Sequence, residues 1–272
     1  WRIISCASSC FIVSNTTPTT IPEAQSQELY RSPHEDRIRR DFVQLFRQAP
    51  IPDVDLLQNL GLFLSSKNLS RILFMHHLYQ QIVDVPGVVM EFGTRWGQNL
   101  GLFAALRGIY DPFNRHRKIV GFDTFEGFPS VSAMDNGASA IIFEGSLKTA
   151  PGYAAYLESV LAYHEQENPL AHLRKFELRP GDATVEAERY LAENPETIVA
   201  LAYFDFDLYE PTKRCLEAIR DHLVKGSVLG FDELNDRDSP GETIALHEVF
   251  GLRNLRLRRW PYVSRTAYFV VE

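Results

Sequence analysis

Acidic residues recur in this sequence directly after apolar segments that have the length of a buried strand. A lone acid at such a point is usually a helix cap or a turn former, and Asp182 before Ala183-Thr184 could be one. A succession of them indicates a site, because the carboxyl ends of parallel strands meet at one edge of a sheet. The residues are Glu91, Asp123, Asp182, the pair Asp205 and Asp207, and the pair Asp232 and Glu233.

The last two pairs predict a cation site. The strands that end at Asp205 and Asp232 would be neighbours about 4.8 Å apart, and carboxylates that close repel unless a cation or protons intervene. Oxygen ligands without Cys or His suit Mg²⁺ or Ca²⁺. We predict Asp205, Asp232 and Glu233 as metal ligands, since Asp207 takes the opposite face while the strand lasts.

A glycine-bearing turn follows the first of these acids. Segment 88–99 predicts a buried strand, a tight turn and a helix start, in which Gly93 and Gly97 let a ligand approach the backbone. The spacing lacks one glycine of the dinucleotide fingerprint, so it suits a ligand without a pyrophosphate. The segment resembles motif I of the class I S-adenosylmethionine (SAM) methyltransferases. Asp123, after the next strand, is placed to bind ribose hydroxyls.

The elements that must position these residues alternate between strands and helices. Apolar strand patterns lie at 88–92, 118–123, 175–179, 198–206 and 227–232, helical patterns at 211–223 and 242–250, and a closing antiparallel strand pair at 255–260 and 265–271. This order predicts an α/β, Rossmann-like class I methyltransferase fold with a seven-stranded, mostly parallel sheet and helices on both faces.

Three further segments are predicted around and within the sheet domain, which spans 87–272. Residues 25–86 have helical spacing and predict an N-terminal helical cap. The Ser/Thr-rich residues 1–24 predict a disordered arm or a cloning-derived tail. Residues 124–174 exceed a normal crossover, which predicts a lid or acceptor-binding insert, with a helical decoration that contacts no ligand as the alternative.

The composition of the chain limits the partners and the cellular location that we expect for it. A net charge of −7 without a dense Lys/Arg run argues against nucleic acid, and no window approaches the ~20 apolar residues of a membrane span. The cysteines, Cys6, Cys10 and Cys215, are spaced for neither a disulfide framework nor a zinc site, which predicts a reducing, cytoplasmic location. The N-terminal helices predict a homo-oligomer, dimer or tetramer.

The longer motifs resemble the macrocin O-methyltransferase family, SAM-dependent enzymes that methylate sugar hydroxyls in antibiotic biosynthesis. The resemblance runs from about Arg71 to Phe250 and rests on 91–97, 121–129, 205–212 and 231–233. Where the family usually has Asp-Asp-Tyr, this sequence has Asp232-Glu233-Leu234, and the following 240–242 resembles the calicheamicin-type branch acting on nucleotide-linked or enediyne-type deoxysugars. This departure leaves Glu242 and Asn235 open as further metal ligands.

The resemblance implies a metal-dependent methyl transfer from SAM to a hydroxyl of a nucleotide-linked sugar or a glycoside. Mg²⁺ or another divalent cation would hold the hydroxyl and lower its pKa, and Asp207 or His247 would take the proton. The implied SAM-binding residues are Glu91, Gly93, Thr94, Arg95, Gly97, Asp123 and Thr124, with Phe125, Gly181, Asp182 and Asp205, and the implied catalytic residues are Asp205, Asp207 and His247.

Three alternatives remain open at this point. A metal-independent methyltransferase, N- or O-specific, would use the SAM half and leave the second acid cluster structural. A nicotinamide-dependent oxidoreductase would need the missing fingerprint glycine. A non-catalytic subunit of the same fold would not need Asp205, Asp232 and Glu233 on one edge, so the sequence favours an enzyme.

Overall fold

The computed structural model describes residues 32–135 and 139–272. The predicted arm at 1–24 lies outside these residues, and the boundaries of the predicted cap, sheet domain and insert stay predictions. A seven-stranded sheet forms the centre of the chain. Its strands are β1 (Val88–Phe92), β2 (Ile119–Asp123), β3 (Phe176–Pro180), β4 (Val199–Phe204), β5 (Leu223–Phe231), β6 (Arg258–Arg259) and β7 (Ala267–Val270).

The helices flank this sheet and precede it. They are α1 (Pro33–Arg47), α2 (Asp53–Leu56), α3 (Ser66–Gln81), α4 (Gln98–Tyr110), α5 (Tyr153–Gln166), α6 (Ala183–Glu193), α7 (Tyr209–Ile219) and α8 (Gly241–Phe250), with short 3-10 helices at Leu57–Phe63, Ala133–Asp135, Arg220–His222 and Leu252–Asn254. None of the described helices is long and apolar enough to cross a membrane.

The sheet has the order β3-β2-β1-β4-β5-β7-β6. The strands from β3 to β5 are parallel, and β7 and β6 are antiparallel to their neighbours, which confirms the predicted Rossmann-like sheet. The strand order reverses between β1 and β4, the point at which open sheets of this type bind ligands. Because Phe92 is paired with Phe204, and Phe204 with Phe231, the residues after these strands lie side by side.

A row of stacked phenylalanines runs beneath these strand ends. Phe92 stacks on Phe122 and on Phe204, with ring centroids 4.9 and 4.8 Å apart, and Phe231 continues the row 5.2 Å from Phe204. All four side chains are fully buried, and the offsets fall in the range favoured by aromatic pairs. The row belongs to the core that packs α6, α7 and α8 on one face of the sheet.

The opposite face of the sheet is covered by α3, α4 and α5. Ser65 begins α3, since its hydroxyl accepts a hydrogen bond from the Asn68 N–H, as an N-cap does. Phe74 and Leu78 of α3 are then fully buried against the sheet. This helix of the predicted cap is therefore part of the main core.

Several predicted element boundaries are wrong, among them the start of the fifth strand, predicted at Ser227 and observed at Leu223. The helix predicted to reach Leu223 ends as an α-helix at Ile219, and β5 begins at Leu223. The strand predicted at 255–260 shrinks to Arg258–Arg259, because this outermost strand has a single neighbour and its side chains are exposed, so little burial stabilises a longer pairing.

Candidate active site

A cavity of about 340 Å³ opens at the carboxyl ends of β1, β2, β4 and β5. It lies at the predicted edge of the sheet, where the strand order reverses. Most of the predicted site residues line it: Glu91, Gly93, Thr94, Arg95, Asp123, Thr124, Asp182, Asp205, Asp207, Asp232 and Glu233. The strand-end acids, together with the residues implied by the family resemblance, therefore account for most of the polar lining.

The turn after β1 forms the wall between β1 and β4. Gly93 has φ 91°, and a Cβ at this position would overlap the carbonyl oxygen of Asp205. Only glycine avoids both the strained backbone and the overlap. Gly97 has φ 74° and begins α4, where a Cβ would overlap the Leu157 side chain. The first glycine brings β1 close to β4, and the second lets α4 pack against α5.

Glu91 is a buried carboxyl group with one free oxygen. The Asn99 side-chain amide donates to its Oε1 at 2.7 Å, whereas Oε2 has no hydrogen-bond partner among the described residues. Burial raises the pKa of Glu91 to about 8, and the Asn99 hydrogen bond partly offsets this. A ligand that donates to Oε2, above all a cation, would stabilise the ionised form.

Asp123 holds two neighbouring turns in place. The Arg95 N–H donates to its Oδ2 at 2.7 Å, and the Phe125 N–H donates to its Oδ1 at 2.6 Å. Arg95 and Phe125 both have positive φ, 46° and 57°, so the carboxylate supports backbone that is unfavourable by itself. Each oxygen accepts one bond and keeps a lone pair for a ligand. Burial raises the pKa of Asp123.

Arg71, which was not predicted from the sequence, contacts the acids that end β4 and β5. Its guanidinium forms an ion pair with Asp205 and lies 3.4 Å from Asp232 Oδ1. The Tyr203 hydroxyl donates to the same Asp232 oxygen at 2.8 Å. Burial and repulsion from Asp232 raise the pKa of Asp205 to about 7 even with Arg71 present. The one sequence signal was an arginine opening an otherwise apolar stretch of helix.

Buried acids beyond this pair surround Asp207. Glu242 is fully buried on α8, and its Oε1 accepts from the N–H groups of Phe206 and Asp207 at 3.1 and 3.4 Å. These bonds hold Asp207 at a positive φ of 59°. Burial and the charge of Glu233 raise the pKa of Asp207 well above its ordinary value. Arg265 pairs with Glu233, so the charge of this one carboxyl group is compensated.

The acid cluster fits a hard cation by its chemistry, although not by its present geometry. No group of three or more His, Cys, Asp or Glu side chains in the described residues is arranged to hold a metal, and Arg71 lies against Asp205 and Asp232. The carboxyl groups nevertheless outnumber the guanidinium groups, and Glu233 Oε2 is buried without a partner in the described chain. Oxygen donors with excess negative charge are what Mg²⁺ binds.

Several predicted residues lie outside the cavity lining of the described structure. His247 is exposed on α8, so it does not share the cavity with the acids. Phe125 is buried in the core against α4, and Gly181 donates its N–H to the Asp123 carbonyl at 2.9 Å. Asp182 lines the cavity and also caps α6, since it accepts from the Thr184 N–H at 2.9 Å. Both of its sequence-based interpretations are compatible with this position.

Comparison with known structures gives two strong similarities. The chain is 47% identical to the crystal structure of CalS11, described as a calicheamicin methyltransferase, with a TM-score of 0.86 over 89% of this chain and 94% of that one. It is 45% identical to the apo structure of CalS11, described as a TDP-rhamnose 3'-O-methyltransferase of calicheamicin biosynthesis, with a TM-score of 0.78 over 89% and 96%.

A third similarity concerns the fold alone. The O-methyltransferase NovP is 17% identical to this chain, with a TM-score of 0.55 over 74% of this chain and 79% of NovP. No protein-family model matches the chain, and a comparison with curated proteins likewise gave no match.

Proposed function

Because this chain belongs to the family of calicheamicin-type sugar O-methyltransferases, we propose that it transfers the methyl group of SAM to a hydroxyl of a nucleotide-linked deoxysugar. The observation that carries this proposal is that the ends of β1, β4 and β5 bring Glu91, Asp205 and Asp232 together in one cavity. The description of one related structure names TDP-rhamnose. A TDP-linked deoxysugar is therefore the acceptor class that we assign.

In this proposal SAM lies across the turn after β1. Its amino group is the cation that meets Glu91 Oε2, the free oxygen of a buried carboxyl group, since an ion pair offsets the cost of burying that charge. Its ribose hydroxyls donate to the remaining lone pairs of Asp123. Its adenine lies toward Asp182, which lines the far end of the cavity.

The acceptor hydroxyl is placed between the donor and the acids of β4 and β5. Its oxygen attacks the methyl carbon, so that an O–C bond forms while the S–C bond breaks, and S-adenosylhomocysteine leaves. In the metal-independent form of the proposal, the hydroxyl proton passes to Asp205. With a pKa of about 7, this carboxyl accepts a proton at neutral pH. Asp207, whose pKa is also raised by burial and by the charge of Glu233, lines the same cavity and orients the acceptor.

We further propose that the reaction uses a divalent cation. Held by Asp205, Asp232 and Glu233, it would lower the pKa of the acceptor hydroxyl. Arg71 favours a second candidate, a metal-independent transfer, because its guanidinium already supplies positive charge at Asp205 and Asp232. The homo-oligomer and the cytoplasmic location stay predictions.

The test is methyl transfer from labelled SAM to TDP-rhamnose. We expect product with the unaltered protein and a loss of about 100-fold or more in kcat for Asp205→Asn, the size of a general-base contribution. Asp221→Asn is the matched control, because Asp221 is exposed beside Arg220. Activity that survives EDTA would select the metal-independent candidate, and activity restored only by Mg²⁺ would select the metal-dependent one.

Two results would contradict the proposal. The first is a well-folded protein that binds neither SAM nor S-adenosylhomocysteine in a calorimetric titration. The second is Asp205→Asn protein that methylates TDP-rhamnose at the rate of the unaltered chain.

A further inference from the structure

A second and larger cavity, of about 980 Å³, adjoins the first one. Ile141, Glu233 and Arg265 line both, so the two spaces meet beyond the end of β5. Ligand sites typically span about 300–1,000 Å³. The first cavity is near the lower limit and the second near the upper one. A methyl transfer has two substrates, and the second cavity has room for the bulkier of them.

Glu233 marks the junction of the two cavities as a place that requires a hydrogen-bond donor. Its side chain is 95% buried, since Glu233 keeps 5% of its exposure. Arg265 pairs with Oε1, while Oε2 has no partner in the described residues. An unpaired buried acceptor is costly. A sugar hydroxyl that reaches from the second cavity into the first would donate to this oxygen.

The start of α3 forms a wall that suits an anion. Ser66, Lys67 and Ser70 all line the second cavity, and the first turn of this 16-residue helix contains no acid. The positive end of the helix dipole and its unpaired N–H groups bind phosphate groups well. Three acids also line this cavity, Glu233, Asp236 and Asp238. Arg265 pairs with the first two, and its guanidinium lies 2.9 Å from Asp236.

A facing wall carries an aromatic ring. Tyr262 lines the second cavity and is 69% exposed, yet its ring is supported edge-on by Trp260 at 5.2 Å and 85°. The Trp260 indole donates to the Ser70 hydroxyl at 3.3 Å. This bond joins the β6–β7 connection to α3, so the aromatic wall and the helix start are held together. Exposed aromatic rings of this kind stack on nucleobases.

We infer that the second cavity binds the nucleoside diphosphate of the acceptor, with its diphosphate at the first turn of α3 and its base on Tyr262. The sugar then points past Glu233 into the methyl-transfer cavity. This inference rests on the proposed function, and it assigns the residues that select a nucleotide-linked sugar over a free one. A free sugar would lose the contacts with α3 and Tyr262.

Calorimetric titration of TDP, in the presence of S-adenosylhomocysteine, tests the inference. We expect Tyr262→Ala to weaken TDP binding by about 5- to 100-fold, the range for loss of one base stack, with the affinity for S-adenosylhomocysteine unchanged. Tyr163→Ala is the matched control, since Tyr163 is 70% exposed on α5 and lies outside the lining of both cavities as described. Lys67→Met should weaken TDP while leaving thymidine binding unaffected.

The outcomes separate this inference from the proposed function. TDP affinities within about two-fold of the unaltered protein in both variants would overturn the inference, as would an unaltered protein that methylates TDP-rhamnose but does not bind TDP. A protein that binds TDP and fails to bind SAM would instead overturn the proposed function. A KM for TDP-rhamnose raised in Tyr262→Ala at constant kcat would support both.

Discussion

Arg71 and Arg265 are the residues that compensate the acids at the ends of β4 and β5. Arg71 also donates from Nε to the Asn99 side chain at 3.4 Å, and Asn99 donates in turn to Glu91. One guanidinium therefore links the proposed donor side of the cavity to the proposed acceptor side. Its charge acts directly on any cation that approaches Asp205 and Asp232.

We expect Arg71→Met to bind Mn²⁺ at least about ten-fold more tightly than the unaltered protein, equivalent to about 1.4 kcal/mol. The substitution removes a positive charge that contacts Asp205 and Asp232, while methionine keeps the apolar stem. Electron paramagnetic resonance of free Mn²⁺ measures the affinity without reference to activity. Arg40→Met, at an exposed position of α1, should change nothing. Equal affinities in all three proteins would refute the competition between Arg71 and a metal.

We also expect the ligand-free protein to gain thermal stability as the pH falls from 8 to 6.5. Burial raises the pKa of Glu91 from 4.5 to about 8, and burial with the charge of Asp232 raises that of Asp205 from 3.8 to about 7. In this window the folded state binds more protons than the unfolded state, so the free energy of unfolding falls as the pH rises. Melting temperatures in EDTA measure the slope.

Buried histidines set the lower limit of this pH range, and two variants identify the carboxyl group responsible for the slope. Burial lowers the pKa of His77 and of His164. The folded protein therefore loses stability as the pH falls below about 6.5, the pKa of a histidine in the unfolded chain. Glu91→Gln should flatten the slope, whereas Glu126→Gln, at an exposed site, should leave it intact. If the melting temperature of the unaltered protein instead rises toward pH 8, ionisation of these carboxyl groups does not destabilise the folded state, and the prediction is wrong.

At the same scale, the sequence predicted the acids but not their partners. Glu91, Asp205 and Asp232 were identified because each ends an apolar strand pattern, and strand ends share an edge. Arg71 lies 134 positions before Asp205, and no local pattern connects the two. The contact depends on how α3 packs across the sheet. His247 was considered as a base only because histidines are common in that role, which says nothing about where the side chain lies.

At the scale of elements, the close approach of β1 and β4 depends on the turn at Gly93. We expect Gly93→Ala to lower the free energy of unfolding by about 3 kcal/mol or more, because its Cβ would overlap the Asp205 carbonyl oxygen at a φ of 91°. Urea denaturation measures the loss. Gly145→Ala is the control, since Gly145 has φ 77° but faces open space in the described chain, and it should cost about 1 kcal/mol.

Similar losses in the two variants would mean that the strained φ dominates and that the approach of β1 to β4 contributes little.

The strand–turn–helix itself was predictable, because an apolar run, a glycine turn and helical spacing follow one another in the sequence. The length of β6 was not. An edge strand is set by how much its single partner stabilises it, and that partner, β7, is antiparallel and short.

At the scale of the whole molecule, the apolar surface is concentrated in the N-terminal helices. Among the described residues of this region, Val54, Leu57, Leu62 and Leu45 are 82%, 77%, 67% and 63% exposed. Phe42 and Phe46 of α1 contact Phe63, which covers part of the helix. Apolar area of this extent on a folded chain is typical of a protein–protein interface.

We expect the double substitution Leu45→Asp and Leu57→Asp to reduce the mass of the protein in solution from an oligomer to a monomer, because two buried charges would oppose association. Light scattering after gel filtration measures the mass. Ile109→Asp, at a 69% exposed position of α4, is the control outside this region. An unaltered protein that is already monomeric would contradict the predicted homo-oligomer.

The order of elements predicted the sheet as a whole, because alternating strands and helices allow few parallel arrangements. The surface that buries the apolar side of the N-terminal helices was not predictable. Helical spacing identifies an apolar stripe, as in α1, but several surfaces have the chemistry to bury it. The size of the second cavity was not predictable either, because its walls come from α3, from Ser139 and Ile141, from the loop after β5 and from the β6–β7 connection.

We expect the phenylalanine row under the cavity to confine motion to the loops above it. Phe122, Phe92, Phe204 and Phe231 join the carboxyl-terminal parts of four neighbouring strands into one buried layer, and such layers open only when the whole domain unfolds. Deuterium should therefore enter the amides of 124–135, 139–152 and 233–240 long before those of β1 and β4. Substrates would then enter and leave above strands that do not move, and the motion of the loops would limit the rate of each catalytic cycle.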